Sequence, residues 1–590
     1  MNGNEERPVQ GGQFEMGWGS DVIAQMLRDF GVDYITLNPG ASYRGFHDSL
    51  VNYLGNRDPE MLVTMHEEHA VAIAHGYAKV ADRPMAVAVH SNVGLMHATM
   101  AIFNAWCDRV PMLILGATGP IDAAQRRPWI EWIHTAKDQG ALIRDYVKWD
   151  DQPGSPEAAV ESMLRAWQIT RTAPHGPVYV CMDLGMQEQR LDAPIPIPDV
   201  GRYAPGGDPV PSPSDLAHAV ERLLNAERPL ILAGRGTRDD KAWADRIRLA
   251  ERLDARVLTD LKAGAAFPTD HDLHPLPPIK RPSKAACAMI AEADVILSLE
   301  WIDLAGTFKQ ALGHSETEAT LINCTVDPYL HNGWSMDHHI LPAADIRIMC
   351  RPDSLVPALL DELGEGKKKS AWAPIVAEPA ERSGGDALDY QDIADALSAA
   401  LGDRKSTITG VPIGWPGYAW PIKAPLDFLG GDGGAGIGSG PGIAIGAALA
   451  LKDSKRVPVA ILGDGDTTMG INALWTAAKY GIPLLIIVAN NRSYFNDELH
   501  QERIARTRSR PEENRWIGQR LEDPVPDIPA IARGFGWQAT DAVATKHELQ
   551  QAMAEAVTNV AGGGQSLVDV HIMRGYDPTV VNPGGMDKSG

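Results

Sequence analysis

Two polar turns of this 590-residue chain carry oxygen atoms of the kind that a hard metal cation prefers. Asp464 follows an apolar run at residues 457–462, and Asn491 follows a second apolar run at residues 483–489. Carboxylate and amide oxygens suit Mg²⁺ far better than they suit zinc or copper. A magnesium ion held by one carboxylate and one amide keeps open positions for phosphate oxygens. The two side chains therefore predict a magnesium–diphosphate site.

The elements around these turns must bring them together. Each apolar run is predicted to form a buried strand, and residues 472–480 between them are predicted to form a helix. The strands of such a βαβ unit are parallel, and its crossover is right-handed. Both turns then lie at the carboxyl edge of one sheet, where open α/β sheets bind their ligands.

Glycines flank the aspartate in the turn Gly463-Asp464-Gly465. They let backbone N–H groups approach an anion, and the N-terminus of the following helix favours negative charge. For the tripeptide alone, a strand–turn–helix with a capping aspartate is the alternative interpretation.

The longer pattern resembles the cofactor motif of thiamine diphosphate (ThDP) enzymes. The Gly-Asp-Gly turn is followed after 24 residues by Asn490-Asn491. The intervening residues 473–478 (ALWTAA) and the trailing Ser493-Tyr494 resemble the acetolactate synthase and benzoylformate decarboxylase branch. The resemblance implies a magnesium ion bound by Asp464, Asn491 and Ser493. It also implies that ThDP is contacted by the other residues of this stretch, namely Gly463, Gly465, Asp466 and Tyr494, as well as by the three metal ligands.

A second motif lies near the start of the chain, at Glu67-Glu68 and Gly76-Tyr77-Ala78. It resembles the helix of ThDP enzymes whose glutamate, nine residues before the glycine, activates the cofactor, and this spacing selects Glu67. Such a carboxyl group hydrogen-bonds the aminopyrimidine ring, so that the amino group of the ring can act as a base. The alternative role of the two glutamates is to complement the helix dipole.

Two further segments of the first part of the chain resemble this branch. The turn LNPGAS implies cofactor contacts from Pro39 and Gly40. His90 begins the segment HSNVG, which supplies an active-site histidine in the family, so His90 is predicted to relay protons to the substrate. A purely structural histidine is the alternative.

The glycine-rich segment 434–442 (GAGIGSGPG) resembles the family segment whose bulky apolar residue supports the bent shape of the cofactor. By its position that residue is Ile437. The glycines let the backbone pass close to the cofactor rings. A nucleotide-binding turn has a similar sequence, so the segment alone leaves both interpretations open.

Composition limits the class of protein. An apolar content of 44% and a charged content of 22% are typical of a soluble globular protein. The net charge of −22 argues against nucleic acid as a partner, and no apolar run reaches the roughly 18 residues of a membrane helix. The polar N-terminus and five scattered cysteines predict a cytoplasmic protein with reduced thiols.

The pattern of elements and linkers predicts an α/β protein with three successive parallel-sheet domains. The resemblance identifies them as pyrimidine-binding, central Rossmann-like and diphosphate-binding domains. The predicted limits are 14–191 for the first domain, 192–214 for a linker, 215–363 for the central domain, 364–386 for a second linker, 387–573 for the third domain and 574–590 for a tail or lid. In such enzymes the first domain of one subunit faces the third domain of another, which implies a homodimer or homotetramer with active sites at the subunit interface.

The substrate is predicted to be a small molecule with a cleavable C–C bond next to a carbonyl group. Seven arginines lie within the 29 residues 492–520, and such a cluster could bind an anionic arm such as the phosphates of coenzyme A. A solvated helix with i,i+4 ion pairs is the alternative. The segment that contains Glu498 resembles the actinobacterial type of 2-hydroxyacyl-CoA lyase, in which a glutamate handles the substrate proton.

These observations favour reversible cleavage of a 2-hydroxyacyl-CoA to formyl-CoA and an aldehyde or ketone. A decarboxylase or acetolactate-synthase-like carboligase that acts on a free 2-oxo acid is the alternative. The sequence GRGT at residues 234–237 also permits ADP, CoA or FAD in the central domain, as the resemblance allows.

Overall fold

The computed structural model describes residues 6–330, 340–374 and 387–576. Within these residues, three parallel sheets follow one another along the chain, and helices cover them. The predicted class, an α/β protein with three successive parallel-sheet domains, is confirmed. In the same three ranges, every helix is too short or too polar to cross a membrane.

The first domain contains a six-stranded sheet in the order β2-β1-β3-β4-β6-β5. Its strands are β1 (Tyr34–Leu37), β2 (Glu60–Val63), β3 (Met85–Ala88), β4 (Met112–Thr118), β5 (Asp150–Asp151) and β6 (Pro177–Asp183). Its helices are α1 (Gly19–Asp29), α2 (Arg44–Asp48), α3 (Glu67–Ala81), α4 (Ser91–Cys107), α5 (Pro156–Arg171) and α6 (Leu184–Gln187).

The central domain contains a five-stranded sheet in the order β11-β10-β9-β7-β8. Its strands are β7 (Pro229–Ala233), β8 (Arg256–Thr259), β9 (Val295–Leu299), β10 (Thr320–Cys324) and β11 (Ile346–Ile348). Its helices are α7 (Pro213–Asn225), α8 (Asp240–Leu253), α9 (Lys284–Glu292), α10 (Leu304–Leu312) and α11 (Pro352–Leu363).

The third domain contains a five-stranded sheet in the order β12-β13-β14-β16-β15. Its strands are β12 (Ser406–Gly410), β13 (Val457–Gly463), β14 (Leu484–Asn490), β15 (Gln538–Ala539) and β16 (Gln565–His571). Its helices are α12 (Tyr390–Leu401), α13 (Gly440–Ala450), α14 (Asp464–Gly470), α15 (Leu474–Tyr480), α16 (Phe495–Thr507), α17 (Ile528–Gly534) and α18 (Lys546–Ala561).

The predicted βαβ unit of the third domain is present, because β13 and β14 pair in parallel. Both strands are almost wholly buried, as expected for a parallel sheet covered on both faces. The connection differs from the single helix predicted at residues 472–480, since α14 and α15 are separated by a 3₁₀ turn. The backbone at Gly470 passes so close to the carbonyl of Gly438 that a Cβ atom would overlap it, and this close approach coincides with the break.

Helices α3 and α13 join the first domain to the third. A Cβ atom at Gly76 of α3 would overlap the carbonyl oxygen of Ile443, and a Cβ atom at Gly446 of α13 would overlap the carbonyl oxygen of Ile73. The two glycines therefore let the helix backbones touch. One hydrophobic core runs through both domains at this contact.

Some predictions fall partly outside the described residues. The second predicted linker is described only to residue 374, and the predicted tail or lid is described only to Tyr576. The described start of the tail contacts the third domain, since Arg574 Nε donates to the carbonyl of Asn491 at 3.0 Å. All five cysteines are free, as predicted. The limits of the domains stay predictions.

Candidate active site

The Ser493 amide joins the two predicted magnesium ligands. It donates to Oδ2 of Asp464 at 3.1 Å and to Oδ1 of Asn491 at 2.9 Å. Asp464 follows β13 and Asn491 follows β14, two neighbouring parallel strands, so their carboxyl ends bring the side-chain oxygens around one peptide group. The structure thus places Asp464 and Asn491 at one edge of the sheet, as the βαβ unit predicted, with the amide of Ser493 between them.

Asp464 lies in a strongly acidic, buried environment. It is only 4% exposed, and burial raises its pKa to about 6. Burial and the nearby Asp464 raise the pKa of Asp569 to about 6, and burial also raises the pKa of Asp466. Among the described residues, no ion pair reaches Asp464. A buried carboxylate without a cationic side chain is costly, and a bound divalent cation would offset that cost.

Asp466 fixes the glycine-rich segment. Its Oδ1 accepts hydrogen bonds from the amides of Gly438 and Gly440 at 2.6 and 3.2 Å. The buried amide of Asn104, in α4, holds the same segment through the carbonyl of Gly436 at 3.2 Å. Ile437, between these anchors, stays 38% exposed. No sequence motif pointed to Asn104, because its partner lies more than three hundred residues away along the chain.

Tyr494 packs against the Gly-Asp-Gly turn. A Cβ atom at Gly465 would overlap the Tyr494 ring, whereas a Cβ atom at Gly463 would meet nothing within 4 Å. The Tyr494 amide donates to the carbonyl of Gln519 at 2.9 Å, which fixes the backbone at Tyr494. The turn is therefore closed on the Gly465 side and open at Gly463.

Glu67 lies at the N-terminus of α3 and is 4% exposed. Its Oε2 lies 3.2 Å from Nδ1 of His97, a residue of α4 whose side chain is half exposed. A Cβ atom at Gly94 would come within 3.1 Å of the Glu67 carboxylate, so this glycine leaves room beside it. The arrangement holds one buried carboxylate beside a half-exposed imidazole.

His90 is held by residues that the sequence did not single out. Its Nδ1 lies 2.8 Å from the Ser42 hydroxyl, and its ring contacts the rings of Tyr43 and His134 edge to face. Burial and the neighbouring His134 lower the pKa of His90. A Cβ atom at Gly40 would overlap the imidazole, so the predicted Pro39-Gly40 turn closes over it.

Glu498 is completely buried and has three partners. The Ser493 hydroxyl donates to its Oε1 at 2.6 Å, and Nε of Arg520 lies 3.4 Å from the same atom. Nε of Arg515 lies 3.4 Å from Oε2. The structure therefore couples Glu498 to the turn that carries Asn491, and its predicted role with the substrate stays a prediction.

The arginine-rich segment divides into paired and unpaired side chains. Arg506 pairs with Glu502 of the same helix at 2.7 Å, in line with the alternative of i,i+4 ion pairs, and with Glu512 beyond the helix at 2.8 Å. Arg508 and Arg510 are exposed and make no side-chain hydrogen bond or ion pair with the described residues. They border an open depression of about 600 Å³ that lies next to α16.

Comparison with known families decides the class of protein. Residues 17–142, 216–329 and 409–570 match, in this order, the N-terminal TPP binding domain, the central domain and the C-terminal TPP binding domain of thiamine pyrophosphate enzymes. The chain belongs to the thiamine pyrophosphate (ThDP) enzyme family. Together the three matches span most of the chain and include every predicted site residue.

Curated relatives of this ThDP enzyme include both acetolactate synthases and decarboxylases. A probable acetolactate synthase large subunit of Methanocaldococcus jannaschii is 26% identical over 96% of this chain and 94% of its own length. The benzoylformate decarboxylase of Pseudomonas aeruginosa is 26% identical over 90% of this chain and 95% of its own length. The resemblance to this branch is thereby confirmed.

Solved structures confirm the fold of the ThDP enzyme. Benzoylformate decarboxylase from Polynucleobacter necessarius superposes with a TM-score of 0.78 at 22% identity, over 95% of this chain and 99% of the other. A 4-hydroxybenzoylformate decarboxylase from Rhodococcus jostii gives a TM-score of 0.76 at 22% identity, again over 95% and 99%.

The GRGT segment of the central domain lines a cavity at the contact with the first domain. The cavity there measures about 130 Å³, whereas pockets for ligands of drug size begin near roughly 300 Å³. A Cβ atom at Gly234 would overlap the carbonyl oxygen of Glu300, so the loop packs against the neighbouring strand end. The binding of ADP, CoA or FAD in the central domain stays a prediction.

Proposed function

We propose that this ThDP enzyme is a ThDP- and Mg²⁺-dependent lyase that reversibly cleaves a 2-hydroxyacyl-CoA to formyl-CoA and an aldehyde or ketone. The observation that carries the proposal is the pair Arg508 and Arg510, exposed and unpaired among the described residues, just after the C-terminal end of α16, the helix that follows Tyr494. In a protein of net charge −22, two free guanidinium groups at one depression favour a phosphate-bearing substrate arm.

The third domain would hold the diphosphate end of the cofactor. Asp464 and Asn491 would bind Mg²⁺ through side-chain oxygens, with Ser493 completing the protein ligands. The open face of Gly463 would admit the diphosphate. The burial of Asp464 supports this assignment, because no cationic side chain among the described residues forms an ion pair with its carboxylate. When bound, ThDP supplies a nucleophilic carbon and an electron sink for breaking a bond next to a carbonyl group.

The first domain would supply the proton chemistry. Glu67 would hydrogen-bond the aminopyrimidine ring and hold the proton that makes its amino group a base. His90, positioned by the Ser42 hydroxyl, would move a proton at the substrate oxygen. The pKa of His90 is lowered by burial, which favours a neutral imidazole that can accept a proton. Glu498 would act on the substrate proton or hold the metal turn, and these roles are separable by experiment.

A complete site would need a second copy of the chain. Among the described residues, no hydrogen bond or ion pair joins Glu67 or His90 to Asp464 or Asn491. Large apolar side chains lie exposed near both half-sites, and these are Met65, Met96, Met100, Ile437 and Met469. They support a homodimer or homotetramer in which the first domain of one subunit faces the third domain of its partner.

A decarboxylase or carboligase that acts on a free 2-oxo acid is the second candidate. It is supported by the names of the relatives, which are acetolactate synthases and benzoylformate decarboxylases. The two candidates share the cofactor chemistry and differ in the anionic arm of the substrate.

Incubation of the purified holoenzyme with each substrate class separates the candidates. We expect formation of formyl-CoA and an aldehyde or ketone from 2-hydroxyacyl-CoA esters, measured by chromatography with mass detection. Pyruvate and benzoylformate, assayed for CO₂ release, test the alternative. If the free acids release CO₂ and the CoA esters are inert, the lyase proposal fails. The Glu67→Gln variant serves as the negative control in both assays.

A further inference from the structure

His134 contacts the predicted catalytic histidine His90, although no motif of the sequence pointed to it. The centroids of the two imidazole rings lie 5.0 Å apart, and the ring planes cross at 87°. Both side chains are partly buried. His90 is the N-cap residue of α4, whereas His134 lies in the segment 119–139 that follows β4. The fold, and not their spacing along the chain, therefore brings the two rings together.

Contacts immediately before and after His134 fix its position. The side-chain amide of Asn92, in the first turn of α4, donates to the carbonyl of Ile133 at 3.3 Å. The hydroxyl of Thr135 accepts a hydrogen bond from the amide of Gly119 at 3.2 Å. A Cβ atom at Gly119 would overlap the same hydroxyl, so the backbone lies close to it. The segment thus holds the second imidazole at one defined place beside α4.

Ser42 contacts Nδ1 of His90 through two groups. The Ser42 hydroxyl accepts from the Ser91 amide at 3.1 Å, so its own hydrogen can point at Nδ1, 2.8 Å away. The Ser42 amide donates to the same nitrogen at 3.4 Å. A protonated His90 would place an N–H group against that amide, so this contact favours a neutral ring. Nε2 is then the ring nitrogen left for a substrate.

Most of the titratable and charged groups that face His90 also disfavour a proton on it. Burial, then His134 and, more weakly, Arg127 lower the pKa of His90, whereas Glu67 of α3 raises it. Tyr43 meets the ring edge to face, and burial raises the pKa of its phenol well above the ordinary value, so this side chain stays uncharged. After burial, His134 is thus the largest of the causes that oppose a proton on His90.

We propose that His134 is a positioning residue that packs edge to face on the His90 ring and opposes a second proton on the pair, so that a neutral His90 meets the substrate through Nε2. Two imidazolium ions at this distance repel each other, and partial burial reduces the screening by water. The rings therefore titrate as a coupled pair. The inference rests on the role proposed above for His90 and extends it, because the pH range in which His90 works depends on a second histidine.

Chemical modification of the full-length holoenzyme tests the proposal without any assumption about the substrate. Diethyl pyrocarbonate acylates neutral imidazole rings, and tandem mass spectrometry localises the modification to His90 at each pH. His134→Phe keeps an aromatic ring but cannot carry a proton. In this variant the midpoint of the pH dependence should move to higher pH, and modification on the acid side of the midpoint should slow several-fold. The midpoint, unlike the absolute rate, does not depend on how accessible the ring is.

The pH profile of kcat/KM gives a second measurement, with any substrate that the holoenzyme converts. Its acid limb should move to higher pH in His134→Phe, in the same direction as the midpoint of modification. His134→Gln supplies another neutral side chain and serves if His134→Phe does not fold. His314→Phe, at an exposed histidine of the central domain, should keep both pH dependences of the wild type.

The outcomes for the pair of histidines and for the proposed function are distinguishable. The proposal is overturned if the midpoint for His90 and the acid limb stay unchanged, or move to lower pH, in the His134 variants. A displaced midpoint in an enzyme that cleaves no 2-hydroxyacyl-CoA supports the pairing of His134 with His90 and refutes only the proposed lyase activity.

Discussion

The hydroxyl of Ser493 donates a 2.6 Å hydrogen bond to Oε1 of Glu498, while the amide of Ser493 donates to Asp464 and Asn491. One residue thus connects the proposed magnesium turn to a buried carboxylate. That carboxylate is in turn held by Arg515 and Arg520. Ser493 therefore links the proposed magnesium ligands to the arginine-rich segment 492–520.

We expect Glu498→Gln to weaken Mg²⁺-dependent ThDP binding, because the variant loses the charge that Arg515 and Arg520 hold beside Ser493. Loss of a group that orients a metal ligand typically lowers metal affinity by about 10–100-fold. Titration of the apoenzyme with Mg²⁺ at fixed ThDP, followed by tryptophan fluorescence, measures this effect. Glu513→Gln, at an exposed glutamate of the same segment, should leave the affinity unchanged. A turnover lowered roughly 10²-fold with intact affinity would instead support the acid/base role.

The position of Glu498 shows what the sequence could and could not predict. The strands β13 and β14 were predictable, because continuous apolar runs between polar turns are typical of parallel strands. Their parallel pairing then brought Asp464 and Asn491 together without further information. The partners of Glu498 were not predictable, since Arg515 and Arg520 reach it only after the chain folds back along residues 492–494. The break between α14 and α15 depends likewise on a distant carbonyl, that of Gly438.

We expect Glu67→Gln to lower turnover by roughly 10²–10⁴-fold, because an amide cannot hold the proton that the aminopyrimidine ring requires. Circular dichroism should show an unchanged fold. Glu68→Gln is the matched control, since the adjacent Glu68 accepts from the Ser439 hydroxyl at 3.2 Å and an amide oxygen can also accept. Turnover with the predicted substrate classes and exchange of the acidic cofactor proton, followed by NMR, measure the effect. Equal losses in the two variants would contradict the assignment of Glu67.

We expect Gly76→Ala to destabilise the protein, because its methyl group would overlap the carbonyl of Ile443 in α13. Overpacking of this kind typically costs about 1–3 kcal/mol. Gly534→Ala is the control, since Gly534 also lies in a helix but a Cβ atom there would meet nothing within 4 Å. That variant should be as stable as the wild type or more stable by about 0.5–1 kcal/mol. Urea unfolding followed by circular dichroism compares them, and equal midpoints would disprove the close helix contact.

We expect His274 to make the protein less stable as the pH falls. Burial lowers its pKa to about 4, below the ordinary value of 6.5. The unfolded chain therefore binds the proton more readily than the folded chain does. The free energy of unfolding is unaffected by His274 above pH 6.5 and decreases as the pH falls from 6.5 towards 4. The shift corresponds to about 3 kcal/mol. Unfolding temperatures at several pH values should show a shallower acid slope for His274→Asn, whereas His314→Asn, at an exposed histidine, should keep the slope of the wild type.

We expect replacement of Arg508 or Arg510 by methionine to raise the KM for a 2-hydroxyacyl-CoA by about 10–100-fold, the loss of one charge-assisted hydrogen bond to phosphate. The turnover number should change little, because the two arginines would contact the CoA arm of the substrate and not the bond that reacts. Arg506→Met is the matched control, since Arg506 is neutralised by Glu502 and Glu512. Steady-state kinetics with CoA esters and with free 2-oxo acids measure the KM of each variant and of the control. An unchanged KM for the CoA ester in both variants would remove the observation on which the lyase proposal depends, and would favour a free acid as the substrate.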